Sequence, residues 1–250
     1  MFKSFLTALV ILFAAQPALA GGDIAKETLT FRSHDRTYYV YAPPAASAPV
    51  PLIVLLHGTG GNGLFMASRW HDVAVKEGIA LVAPDSLHSQ VGWGIDVDGP
   101  DYIRAVLTKV AAEHPIDARR IYLFGQSGGA VHALRLGMLE SEFFAAVAVH
   151  AGTWRHTAEY GVTDFAKRKI PVSISIGDKD EYFPMDSVRN TKQVLADRGF
   201  PIEVNILGGR VHSYMDVPDD FNAGVWEFLK RNPLPYDPKY VDYYYSAPMR

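Results

Sequence analysis

Short apolar runs alternate with amphipathic segments along nearly the whole chain, and this alternation most constrains the fold. Pro51–Leu56 and Ile79–Ala83 are continuous apolar stretches of strand length, as expected of strands buried on both faces. Between them Leu64–Lys76 reads as a helix. A loop over Pro84–Gly99 precedes a helix over Asp101–Glu113, whose Ile103, Val106, Leu107 and Val110 fall on one helical face. The pattern continues with strands at Arg120–Phe124, Phe144–Val149, Val172–Ile176 and Ile202–Leu207. Helices are expected at Gly128–Met138, Asp186–Asp197 and Phe221–Lys230, with Asp219 and Asp220 as N-cap candidates for the last. Thr28–Arg32 and Thr37–Ala42 should form an antiparallel hairpin turning at Ser33-His34-Asp35-Arg36. The chain is therefore an α/β protein: an eight-stranded, mostly parallel sheet with helices on both faces.

Residues 1–20 stand outside this pattern. Lys3, the apolar run Phe5–Ala15 and the ending Ala18-Leu19-Ala20 have the anatomy of a cleavable signal peptide. The run is too short for a bilayer span, so no membrane anchor is expected and the mature protein should be secreted or periplasmic. Residues 21–231 would form one catalytic domain, followed by a Pro/Tyr-rich tail over residues 232–250. Removing Lys3 leaves 23 basic residues against 27 acidic ones, with no basic run, which disfavours nucleic-acid binding. With no cysteine, disulfides and thiolate metal sites are excluded. No H-x-x-x-H or H-E-x-x-H pair is present, so neither a metal nor another cofactor is expected.

The sharpest chemical signal is Gly125-Gln126-Ser127-Gly128-Gly129. Arg-Ile-Tyr-Leu-Phe precedes it as a strand, and Ala-Val-His-Ala-Leu-Arg-Leu follows as a helix. A serine at the apex of such a turn is held in a strained backbone, with its oxygen exposed beside a helix N-terminus. Side chains at the flanking glycines would collide with neighbouring backbone. The amide of Gly128 can then face a developing oxyanion. The loop His57–Gly63, directly after a strand, is placed to supply a second amide, from Thr59 first or Gly60 second. His57 reads as a residue that positions this loop.

A serine nucleophile needs a base, and the base needs an orienting carboxylate. His212 lies in the loop after the last strand, on the sheet edge where loops at the carboxyl ends of parallel strands gather. His150, ending another strand on that edge, is the reserve. Ile176-Gly177-Asp178-Lys179-Asp180-Glu181 supplies the acid, with Asp180 preferred and Asp178 second. Aromatic residues on the same edge, Trp93, Trp154, Tyr182, Phe183 and Tyr214, are candidates for the substrate pocket. The connection Ala151–Lys169 is too short for a large lid domain.

Four segments, Gly125–Gly129, His57–Gly63, Gly177–Asp180 and Gly208–His212, resemble those of the polyhydroxybutyrate depolymerase and feruloyl esterase group of α/β hydrolases, including LpqC-type esterases. Gly92-Trp93-Gly94, Val97-Asp98 and the run Pro115–Tyr122 resemble the same group. The likeness covers about residues 27–231, with Ala130 replacing a glycine frequent in the group. It implies the α/β-hydrolase fold and hydrolysis of small or oligomeric esters (small acyl, feruloyl-type or hydroxyalkanoate) through an acyl-serine. An acyltransferase with the same triad, and a non-catalytic binding protein on this scaffold, are the alternatives.

Overall fold

The computed structural model describes residues 22–44, 46 and 48–241, so the expected signal peptide and the end of the tail lie outside the described residues. Eight strands form one sheet: β1 (Ala25–Phe31), β2 (His34–Tyr41), β3 (Val50–Leu56), β4 (Ala80–Pro84), β5 (Ile116–Gln126), β6 (Val147–His150), β7 (Val172–Gly177) and β8 (Ile202–Leu207). Their spatial order is β1-β2-β4-β3-β5-β6-β7-β8. β1 and β2 pair antiparallel, β2 runs antiparallel to β4, and every remaining pairing is parallel. This is the α/β-hydrolase fold, and no large lid insertion occurs among the described residues.

The period of two along each strand divides the core into two layers. Leu52, Val54 and Leu56 of β3 face one layer, and Ile53 and Leu55 face the other. The first layer is covered by α3 (Pro100–Glu113), α4 (Gly128–Leu139) and α5 (Met185–Asp197). The second is covered by α1 (Gly63–Glu77) and α6 (Phe221–Lys230). Helix α1 starts where the Asn62 side chain accepts the Phe65 amide and ends at left-handed Gly78. A short α2 (Ile95–Asp98) sits within the expected loop, and a 3-10 helix (Thr157–Phe165) fills much of the connection after β6.

Four local expectations are corrected. The hairpin turns on Arg32 and Ser33 alone, both at positive φ (47° and 66°), and His34 already pairs with Phe31. Two left-handed residues give the twist a two-residue hairpin needs. Strand β5 begins at Ile116, which pairs with Val50 ahead of a register irregularity. Strand β6 begins only at Val147. Asp220 occupies the N-cap of α6, but its side chain makes no capping bond.

The tail from Asn232 to Val241 runs along the sheet edge opposite the loop that follows β5. Leu234 exchanges two hydrogen bonds with Arg119, and the Val241 amide donates to Glu140 Oε2. No helix among the described residues is long and apolar enough to cross a membrane.

Candidate active site

The turn from β5 into α4 holds Ser127 at φ 54° and ψ −119°, a region few non-glycine residues adopt. The flanking glycines make it buildable. A Cβ on Gly125 would lie 2.2 Å from the Gly129 carbonyl oxygen, and one on Gly129 would lie 2.2 Å from the Leu56 oxygen. The Ser127 amide donates to the His150 carbonyl (3.0 Å), fixing the turn to β6.

Ser127 Oγ is 2.8 Å from His212 Nε2, and His212 Nδ1 is 2.8 Å from Asp180 Oδ2. Asp180 Oδ1 accepts the amides of Tyr182 and Phe183, each at 2.9 Å. Burial pushes the Asp180 carboxyl up, but the His212 hydrogen bond and the two amides outweigh it and hold it below its usual value. An ionised Asp180 can only accept, so Nδ1–H donates to it and Nε2 is left to take the serine proton. The three residues thus form a Ser-His-Asp triad, as expected from the loops that carry them.

Asp178, the second choice, has another task. Its Oδ1 accepts the Gly209 amide (2.6 Å), and the Lys179 amide donates to the Arg210 carbonyl (3.0 Å). A Cβ on Gly177 would lie 2.1 Å from that same Arg210 oxygen. The loop bearing the acid and the loop bearing the base are braced directly against each other. His150 is fully buried; its Nδ1 faces the Ser175 carbonyl (3.2 Å), and burial pushes its pKa down to about 4.

Beside Ser127, the Thr59 and Gly128 amides have no protein partner among the described residues, whereas the Gly60 amide donates to Ser89 O (2.7 Å). Gly128 is in the first turn of α4, where the helix itself leaves an amide unpaired.

The triad opens onto a cleft of about 680 Å³ whose wall includes Thr59, Trp93, Val131, Arg155, Tyr182 and Phe183. Trp93 and Tyr182 therefore lie at the cleft, as expected. Trp154 and Tyr214 do not. Trp154 is fully buried, with its carbonyl accepting from Thr191. Tyr214 is buried among Phe124, His150 and Phe221 and donates its hydroxyl to Asn222 Oδ1 (2.6 Å). Both rings supply core, because their loops fold inward at those positions.

Val91, Val131, Arg155 and Glu181 also line the cleft, without a periodic or motif signal to mark them. Tyr182 and Phe183 pack on the His212 ring, with centroids 4.7 and 5.7 Å away. Trp93 is clamped from behind. Its indole N–H donates to His57 O (2.8 Å), and its ring stands 4.8 Å from His57 and 5.2 Å from His132. His57 itself is fully buried, with Nδ1–H donating to Gly58 O and Nε2 accepting the Ser86 amide, so it braces the loop as expected. Buried Asp98 organises the Trp93 loop by accepting from Arg36 and from the amides of Leu87 and Gly94. Among the described residues no cluster of potential metal ligands occurs.

Comparison with known proteins agrees with this geometry. The model of the dienelactone hydrolase family matches residues 37–225. NocK of Nocardia uniformis subsp. tsuyamanensis, named as an esterase, is 31% identical over 169 residues, which is 61% of this chain and 47% of NocK. Feruloyl esterase B of Neurospora crassa is 27% identical over 125 residues, 46% of this chain and 43% of that protein. The chain thus spans less than half the length of these curated relatives. Among solved structures, a ferulic acid esterase from Anaeromyces mucronatus bound to ferulic acid superposes with a TM-score of 0.67 at 16% identity, covering 88% of this chain and 93% of that one. A thermostable esterase gives 0.67 at 19% identity, covering 84% of this chain and 63% of its own.

Proposed function

The chain belongs to the dienelactone hydrolase family, and from that footing we propose that it is a serine esterase cleaving carboxylic esters through an acyl-serine intermediate. One observation carries this reading: the unbroken line Ser127 Oγ to His212 Nε2 and His212 Nδ1 to Asp180 Oδ2, each step 2.8 Å, at the floor of an open cleft.

In the proposed cycle, His212 Nε2 takes the Ser127 proton as Oγ bonds to the ester carbonyl carbon, and the carbonyl oxygen becomes an oxyanion. The unpaired amides of Thr59 and Gly128 are assigned to that oxyanion. Asp180 keeps the imidazole in one tautomer and offsets its charge. The imidazolium then protonates the leaving alcohol oxygen as the ester C–O bond breaks. Water, deprotonated by His212, adds to the acyl carbon; the serine–acyl bond breaks and Ser127 regains its proton.

For substrate we favour esters with a small or planar acyl group, feruloyl-type esters first and hydroxyalkanoate oligomers second. Trp93, Tyr182 and Phe183 at the cleft support a flat acyl group. The name of feruloyl esterase B points the same way. The polyhydroxybutyrate depolymerase and LpqC-type resemblance remains part of this proposal. So do removal of residues 1–20 and a secreted or periplasmic location, which N-terminal sequencing of the exported protein would test. Labelling by a fluorophosphonate, abolished in Ser127→Ala, together with turnover of chromogenic acetyl and feruloyl esters, tests the activity. An unlabelled, inert wild-type protein overturns it.

A further inference from the structure

The Thr59 side chain stands against Gly128, the residue that follows the nucleophile. A Cβ built on Gly128 would come within 2.6 Å of Thr59 Oγ1 and 3.4 Å of Thr59 N. A Cβ on Gly92 would come within 3.0 Å of the same Oγ1. The hydroxyl therefore occupies the space that the absent side chains of residues 92 and 128 leave open. Thr59, Gly92, Ser127 and Gly128 all line the cleft. No protein group among the described residues accepts from or donates to this hydroxyl. The Ser127 hydroxyl, by contrast, is committed to His212.

We infer that the Thr59 hydroxyl is a third oxyanion donor, acting with the amides of Thr59 and Gly128. The inference rests on the esterase reading. The hydroxyl and the two amides belong to residues 59 and 128, which line the cleft together with Ser127 and approach each other across Gly128. A β-branched residue has few χ1 choices, so the hydroxyl is held near its place before charge develops. A donor that meets the oxygen only as it becomes negative lowers the barrier rather than tightening ground-state binding. Glycine at 92 and 128 then has a chemical reason beyond the turn itself: a methyl at either position would push the hydroxyl aside.

The test compares wild type with Thr59→Val, which keeps the shape and the amide, Thr59→Ala, which removes the hydroxyl with less bulk, and Thr59→Ser, which restores a hydroxyl. The readouts are kcat and KM on a chromogenic acetyl ester and the rate of fluorophosphonate labelling, whose transition state also develops a negative oxygen. The expected result is a kcat lower by about 10- to 100-fold in Val and Ala, KM within about threefold, and a parallel loss in labelling rate. Ser should recover to within about threefold of wild type. A folded Val or Ala variant within about twofold of wild type in both readouts, or a Ser variant as slow as Val, overturns the inference. A wild type that is not labelled at all overturns the esterase reading itself, which is a different result from equal labelling of wild type and Val.

Discussion

Trp93 lies nearly parallel to the ring of His132, with centroids 5.2 Å and planes 18° apart, so the cleft wall is stacked on a buried side chain of the helix that follows the nucleophile. This arrangement fixes the indole plane independently of substrate. Trp93→Ala should raise KM for feruloyl esters about tenfold and change acetyl ester turnover little. Trp93→Phe should fall between, since it keeps a flat ring but loses the bond to His57 O. Steady-state kinetics on the two esters checks this; an equal effect on both would show that Trp93 does not discriminate.

Asp180→Asn should lower kcat by about 10³- to 10⁴-fold while leaving the protein folded, because an amide no longer specifies the Nδ1–H tautomer of His212. Asp178→Asn should be mild by comparison, since an amide oxygen can still accept from the Gly209 amide. Measuring kcat and Tm for the two variants side by side distinguishes the acid from the brace.

Stability should fall on mild acidification. His132 and His150 are buried, and burial pushes each pKa down to about 4. The unfolded chain, with histidines near 6.5, therefore binds more protons than the native state between those values. The contribution of each is complete above about pH 6.5 and is lost as pH falls toward 4, on the order of 3 kcal/mol each. The lowered carboxyl of Asp180 acts in the same direction, but only below its unfolded value near 4. Urea midpoints from pH 7 to 4.5 should drop steeply in wild type and less steeply in His132→Gln.

Arg36→Met should destabilise by roughly 3–5 kcal/mol, since it strands Asp98 as a buried charge. Because Asp98 also accepts from Leu87 and Gly94, feruloyl ester KM should rise along with the loss of Tm. A Tm loss with unchanged KM would separate the ion pair from the cleft.

Tyr214→Phe should cost about 1–2 kcal/mol through the stranded Asn222 partner, with KM unchanged for every ester. A KM change would put Tyr214 back at the substrate.

These outcomes mark what the sequence carries and what it hides. Strands β3 and β4 were legible because burial on both faces leaves an unbroken apolar run. The triad was legible because the elbow glycines are a local requirement, and because parallel strands bring their following loops to one edge. The direction of a loop aromatic is not set by propensity: Trp93 faces the cleft while Trp154 faces the core, and only the glycines flanking Trp93 set the two apart in sequence. The start of β5 was hidden by Asp117, Arg119 and Arg120, polar residues on the half-buried to exposed end of the strand, where no apolar run marks it. The hairpin turn was hidden because Arg32 and Ser33 adopt a conformation usually marked by glycine or asparagine.

Acid and base hang from β7 and from β8 at the outer margin of the sheet, bolted together through Asp178, Gly209 and Arg210, while the attacking oxygen rides on interior strand β5. Fraying that begins at this margin would carry both proton-handling groups away in one event and leave the serine on an intact elbow. Heat should then silence the molecule before it melts.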